Sequence, residues 1–369
     1  MVWVYVAFVT MILALLVLDL GVINRKAHVI GVREALGWST LWISLGLAFG
    51  GVIYLGYEQQ WFGLGTNVDL LVTEPVQRGG VAIYNDGWSA LTKYLTGYLV
   101  EKSLAIDNLF VIAIVFGSFG VPAMYQHRVL FWGIVGALVM RGAMIAVGVK
   151  LLAEVSWVIY IFGGFLIVTG VKMLVAKEGS HDHSKHPLLR LWRRLMPVSE
   201  RYHGQHFFVR GGSPAAEEAA TPGAEKQPDS VLARVGKGVL VTTPLFLALL
   251  MIELTDVVFA VDSIPAIFAI TGDAFLVFSS NVMAMLGLRS LYFALAGMMS
   301  RFKYLKVSLA AILMLVGGKM LAHSWLKDWL GAHFNLYMLA AILGILAAGV
   351  AVSMLATRGQ RPEPAPEAA

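Results

Sequence analysis

The chain contains no cysteine. Disulfides, Cys-ligated zinc and thiol chemistry are closed to it, while the count leaves the redox compartment open. Charge is scarce too. Asp, Glu, Lys and Arg make up 14% of the 369 residues, against about 25% in an ordinary soluble domain. No GxxxxGK[ST] phosphate loop is present, which argues against nucleotide-driven pumping. No GxGD motif is present either, so an intramembrane aspartyl protease is not expected, and no other enzyme is. What the chain has in quantity is apolar sequence. It is 58% hydrophobic with a mean hydropathy of +0.74, and its apolar runs approach the roughly 20 residues a bilayer-crossing helix needs. The pI of 9.3 fits basic cytoplasmic loops of a membrane protein better than nucleic-acid binding, which is not expected.

The expected fold is all-α and polytopic. About nine transmembrane helices are expected, near 2–22, 37–57, 91–117, 127–149, 154–175, 240–270, 274–298, 304–323 and 334–356. The first lacks a basic leading region and a small-residue cleavage site, so it is read as a helix rather than a signal peptide. Starting with the N-terminus outside, the inside segments collect Arg25, Lys26, Arg33, Arg128, the basic run between Lys177 and Lys237, Arg301, Lys303, Lys306, Arg358 and Arg361. The outside keeps Arg78, Lys93, Lys150 and Lys327. Cytoplasmic loops favour Lys and Arg, which places the N-terminus outside and the C-terminus in the cytoplasm.

The division expected is 1–90 for two helices and an outside loop, 91–175 for a first three-helix repeat, 176–239 for a flexible cytoplasmic loop, 240–323 for a second three-helix repeat, 324–357 for a last helix and 358–369 for a disordered tail. The long loop holds "HDHSKH", the basic aromatic "LLRLWRRL" and the low-complexity "GGSPAAEEAATPGAEKQP". The second of these reads as a short interfacial helix, and the third as linker. His181, His183 and His186 have the composition of a metal-capture element, although short His-rich segments are more often solvated linker.

The repeat is carried by charge. "AIDN" at 105–108 is echoed by "AVDS" at 260–263. Six residues before each aspartate stands another acid, Glu101 before Asp107 and Asp256 before Asp262. Downstream, Arg141 matches Arg289 and Lys172 matches Lys319. Three spans per copy turn the second copy over relative to the first. Two inverted repeats with a site near the bilayer midplane are a recurring transporter plan.

Mid-membrane charge costs roughly 2.5–3.5 kcal/mol per residue on insertion scales, so such groups pair or face a wet cavity. The acids Asp19, Glu101, Asp107, Glu253, Asp256 and Asp262 and the bases Lys102, Arg141, Lys172, Arg289 and Lys319 fall in this class. Asp19, near a helix end, is the weakest candidate. Acids six apart lie about 120° and roughly 9 Å from each other on a helix. A shared site is therefore expected across the axis, from Asp107 and Asp262, with Asn108 and Ser263 adding neutral oxygens and Asn281 a further one. Pro265 can kink or break its span. Hard oxygen donors suit Mg²⁺, Ca²⁺ or Mn²⁺. The bland reading is that the acids and bases merely pair within the bundle.

"LDLGVINRKAH", "EKSLAIDNLFVIAIVF", "IELTDVVFAVDSIPAIFAIT" and "NVMAMLGLRSLYF" resemble the TerC family of integral membrane proteins, named for tellurium resistance. The resemblance implies a bacterial inner-membrane protein associated with manganese efflux. By motif, its functional acids here are Glu101, Asp107, Glu253, Asp256 and Asp262, with Asn108 and Ser263 as helpers. The expectation is a Mn²⁺ exporter working by alternating access, with proton exchange as its coupling. Mn²⁺ is its substrate and no tightly bound cofactor is expected. The bilayer is its surrounding partner, and a homo-oligomer or other membrane proteins are further candidates. The alternative is an assembly or metallation factor acting through the 176–239 loop.

Overall fold

The computed structural model describes residues 2–18, 31–72, 74–155, 157–175, 187–213, 230–296, 305–322 and 334–356, without the side chains of Asp107, Ile159, Pro187, Leu188, Ser230, Ala233, Asp262, Ala296, Leu305 and Phe334. Asp19, the three histidines of "HDHSKH" and the C-terminal tail lie outside the described residues.

The chain is mostly helical over the described residues. In order it forms α1 (Val2–Leu18), α2 (Val32–Glu58), α3 (Gly87–Phe119), α4 (Ala123–Glu154), α5 (Val158–Val175), α6 (Pro187–Leu195), α7 (Ser230–Arg234), α8 (Pro244–Phe268), α9 (Ala274–Met285), α10 (Leu288–Ala296), α11 (Leu305–Leu321) and α12 (Phe334–Ala356). Two small two-stranded antiparallel sheets interrupt the all-α plan, β1 (Val76–Arg78) with β2 (Val81–Ile83) and β3 (Phe208–Arg210) with β4 (Leu240–Thr242).

Length and composition identify α2, α4, α8 and α12 as able to cross a membrane, with α9 and α10, bent by 42° at their break, as a fifth span if counted together. Nine segments are expected from sequence, and each contains a helix. The remaining helices do not meet that length and composition over the described residues. The described part of α1 and all of α11 are 17 residues each, below the roughly 20 of a full span. The 33-residue α3 is long enough to span and carries Lys93, Glu101, Lys102 and Asp107. The architecture is that of a multi-pass, all-α membrane protein.

Local rules set the helix ends. Asp86 starts α3, its carboxylate accepting from the Ser89 amide at 2.7 Å, and Gly120 ends it in the left-handed region at φ 64°. Pro265, expected to kink its span, sits in the last turn of α8, which closes at Phe268. In α4 the buried positions Tyr125, Val129, Gly133, Ala137, Arg141, Ile145, Gly148 and Leu152 recur every three or four residues, one helical stripe facing the bundle. Arg141 is in that stripe.

α3 is the central element, touching α2, α8, α9, α10, α11 and α12. α4 packs on α8 and α9, and α5 lies along α11. The last contact is glycine-made. A Cβ on Gly163 would stand 3.1 Å from the Gly317 carbonyl oxygen, and one on Gly170 would stand 2.9 Å from that of Ala310. Small residues let membrane helices approach backbone to backbone.

The segment 176–239, expected to be a flexible linker, is folded in part. α6 forms where "LLRLWRRL" stands, burying Leu189, while the Trp192 indole donates to Thr242 Oγ1 at 3.3 Å. Across this region the Ser199 amide donates to the Thr242 carbonyl at 2.8 Å and the Thr242 amide to the Pro197 carbonyl at 2.9 Å. An amphipathic helix with an aromatic anchor gains more by burying its apolar side than a polar linker can, which is why this stretch departs from the composition around it.

Candidate functional site

The two acids that lead the repeated motifs meet at one guanidinium. Glu101 on α3, Asp256 on α8 and Arg141 on α4 are all buried. Arg141 Nε donates to Asp256 Oδ2 at 3.1 Å and Nη2 to Asp256 Oδ1 at 3.1 Å, a bidentate grip. Its Nη1 donates to Glu101 Oε1 and reaches Ser263 Oγ and Asn281 Oδ1, each at 3.3 Å. Asn108 Nδ2 donates to Asp256 Oδ1 at 2.9 Å. Four helices, α3, α4, α8 and α9, thus contribute to one polar cluster inside an apolar bundle. Burying such charges is costly unless each is paired, and the two acids with one arginine leave a net negative charge.

This arrangement differs in one respect from the sequence expectation. The shared partner joins Glu101 and Asp256, the acids one motif step before Asp107 and Asp262. The helices place Asp107 and Asp262 six residues further on, and their side chains lie outside the described set. Asn108, Ser263 and Asn281, expected as neutral donors, are in the cluster. Glu253 is not. Its carboxylate lies over Gly136 of α4, where a Cβ would come within 2.5 Å of both carboxylate oxygens, at the wall of an apolar groove lined by Trp132, Met140, Trp192 and Leu250. Among the bases, Lys102 Nζ donates to the carbonyls of Ala284 and Leu286 at 3.0 Å each. It satisfies the chain where α9 breaks from α10 at Gly287, φ 76°. Arg289, on α10, places Nη1 at 2.7 Å from His127 Nε2. Lys172 is exposed, whereas Lys319 is buried.

Among the described residues no three His, Asp or Glu side chains converge as a metal site. Two acceptors of the cluster are nevertheless buried without a hydrogen-bond donor, Glu101 Oε2 and Asn108 Oδ1. They stand seven residues apart, on one face of α3. Two carboxylates and amide and hydroxyl oxygens form a hard donor set, of the kind divalent Mg²⁺, Ca²⁺ and Mn²⁺ take.

A second polar cluster was not foreseen from sequence. It lies where α2 ends, α3 begins and α8 turns into α9. Buried Asp69 accepts from Lys93 Nζ at 2.9 Å, Thr271 Oγ1 at 2.7 Å, the Gly272 amide at 2.8 Å, the Leu71 amide at 3.0 Å and Asn85 Nδ2 at 3.2 Å. Asp273 caps α9 through the Phe275 and Leu276 amides and accepts from Tyr57 at 3.0 Å. Burial alone would push the Asp69 carboxyl up, but the Lys93 ammonium and the hydrogen bonds overcome this and hold it at about 2. Burial, then the nearby Asp69 charge, raises Asp273. A loop aspartate between two spans ordinarily reads as solvated. Its burial comes from tertiary closure of the loop over the helix ends.

The sequence matches the integral membrane protein TerC family over residues 86–361. An uncharacterized membrane protein of Myxococcus xanthus is 40% identical, the match covering 96% of this chain and 92% of the relative. Relatives in Salmonella typhi and Escherichia coli K12 carry the provisional name membrane-bound redox modulator Alx. Each is 39% identical; the first match covers 85% of this chain and 84% of the relative, the second 91% and 92%. No solved structure matches the chain. With the family's span covering both acidic helices and the arginine between them, the chain belongs to the integral membrane protein TerC family.

Proposed function

We propose that the protein exports a divalent cation, Mn²⁺ first, across a bacterial inner membrane, with its N-terminus outside and its C-terminus in the cytoplasm. The observation that carries this reading is the Glu101/Asp256 pair, held at one point inside the bundle with two further acceptors, Glu101 Oε2 and Asn108 Oδ1, left without donors. In this reading Asp107 and Asp262, six residues further along α3 and α8, belong to the donor set with Ser263, and Glu253 belongs to the approach. Nine spans, with residues 91–175 and 240–323 as inverted repeats, make the transport geometry. The packing supports two copies. Exchanging α3 with α8, α4 with α9 and α10, and α5 with α11 turns the α3–α9 contact into the α8–α4 contact and returns α3–α8, α4–α9 and α5–α11 to themselves. The glycine contacts follow the same rule, since Gly163 corresponds to Ala310 and Gly170 to Gly317.

Alternating access then follows from rocking one copy against the other about a fixed site. Moving a dication out against an inside-negative potential costs about 2.3 kcal/mol per charge per 100 mV. Proton exchange on the carboxylates supplies the coupling in this proposal. The provisional name of the Salmonella and Escherichia relatives concerns redox modulation. With no cysteine, thiol exchange is closed to this chain, so a redox effect would run through the metal it moves.

The test is Mn²⁺ flux in proteoliposomes across a pH gradient, with Ca²⁺, Mg²⁺ and Zn²⁺ as competitors. Wild type is expected to move Mn²⁺, and Asp256→Asn and Asp107→Asn to stop it while the protein remains in the bilayer. Wild-type flux in both variants, or none in wild type under any gradient, overturns the reading.

A further inference from the structure

We infer that Arg141 and Arg289 take turns as the tethered counter-cation of the Glu101/Asp256 pair, one in each orientation of the carrier. The inference rests on the two-copy reading above and deepens it. In the register that aligns the copies, Glu101 corresponds to Asp256, Asn108 to Ser263, Gly133 to Asn281 and Arg141 to Arg289. Arg141 touches Glu101, Asp256, Ser263 and Asn281. The equivalent neighbours of Arg289 are therefore Asp256, Glu101, Asn108 and Gly133.

Three of those four, Asp256, Asn108 and Gly133, line one small cavity, and Arg289 lines it with them. The cavity holds about 30 Å³, room for a water. Arg289 Nη1 meets His127 Nε2 at 2.7 Å. Where Arg141 stands in one half of the bundle, the other half keeps a water-sized cavity with the matching arginine at its edge. The cavity lies toward the end where α3 finishes and α8 begins. At the opposite end Ile267 and Phe268 are fully buried and the Asp69 network closes the surface.

Charge makes the exchange economical. Two buried carboxylates cannot stand without a cation. Leaving Arg141 in place excludes a dication by repulsion and by occupancy. Arg141 withdrawing as the dication binds keeps the pair compensated, and Arg289 entering as the dication leaves compensates it again in the opposite orientation. At no step is the acid pair bare.

The absence of cysteine makes single-cysteine reporters clean. Ile112, buried, lines the cavity, and its counterpart Ile267 is buried at the opposite end. Ile112→Cys and Ile267→Cys are placed in the full-length protein in nanodiscs without divalent metal, and labelling by a small methanethiosulfonate is timed. In the parent both positions are buried, 112 at 7% exposure and 267 at 0%, so each is expected to label slowly. Arg141→Gln is expected to raise labelling at 267 about tenfold and lower it at 112, because the population shifts toward the state Arg289 supports. Arg289→Gln is expected to do the reverse, raising labelling at 112. Both reporters moving together, or neither moving, overturns the exchange. Should Arg141→Gln fail to fold, Arg289→Gln alone decides: faster labelling at 112 supports the exchange, and unchanged or slower labelling overturns it. The labelling is read without metal, so a protein that carries no Mn²⁺ at all can still show or fail to show the exchange, and the two readings fail separately.

Discussion

A Cβ on Gly317 of α11 would stand 2.7 Å from the carbonyl oxygen of Gly163 on α5. The two helices therefore meet backbone to backbone, and the neighbour is an atom that cannot rotate away. Gly317→Ala should destabilise the detergent-solubilised protein by about 1–3 kcal/mol, the usual cost of overpacking. Gly318, with open space around its Cβ position, is the control. Gly318→Ala should be neutral or stabilise by up to about 1 kcal/mol through helix propensity. Thermal unfolding of both variants checks the pair.

Lys102 and the α9–α10 break form a second test. Its ammonium holds the Ala284 and Leu286 carbonyls at 3.0 Å each, and a methyl on Gly287 would lie 2.4 Å from the Cβ of Trp42. Lys102→Met should leave both buried carbonyls without this donor, costing about 1–3 kcal/mol for each one left unsatisfied. Hydrogen exchange should rise locally at 284–290 before global unfolding. Unchanged exchange there would show that other groups already satisfy the break.

The Asp69 network predicts an acid limit. The carboxyl is held at about 2 in the folded protein against an ordinary 3.8. A depressed folded value contributes stability in full above the unfolded value, and that contribution is lost as pH falls through the folded one. Thermal midpoints should therefore fall between about pH 4 and pH 2, on the Asp69 values. Asp69→Asn should be less stable than wild type at neutral pH and show a flatter profile over that window.

Glu101 and Asp256 differ in their share of Arg141, and flux should expose it. Asp256 takes two of the arginine's bonds and one from Asn108, whereas Glu101 keeps one oxygen without a donor. Glu101→Gln should abolish Mn²⁺ flux with little loss of stability. Asp256→Asn should lose flux and stability together, by about 3–5 kcal/mol, as when one partner of a buried pair is removed. Equal thermal midpoints for the two variants would contradict this division.

Much of this was legible in the residues. Apolar runs of bilayer length specify helices because a backbone in lipid must satisfy its own hydrogen bonds. The spacing of Glu101 to Asp107, repeated from Asp256 to Asp262, marks α3 and α8 as the charged pair, since charge in an apolar segment persists only with a partner. The family was legible from the same motifs. Which acid meets which base was not. Arg141 lies 40 positions from Glu101 and 115 from Asp256, and no local rule joins them. Only the packing of α4 on α8 and α9, with α8 against α3, lets Arg141 reach both acids. The same holds for Asp69, whose loop setting suggests solvent until the α8–α9 turn closes on it, and for Glu253, which the helical twist turns out of the cluster and onto Gly136. Sequence fixes what a segment must be, because hydropathy and period act locally. Tertiary structure decides which buried charges compensate one another, because that depends on the rotation and approach of helices distant in the chain.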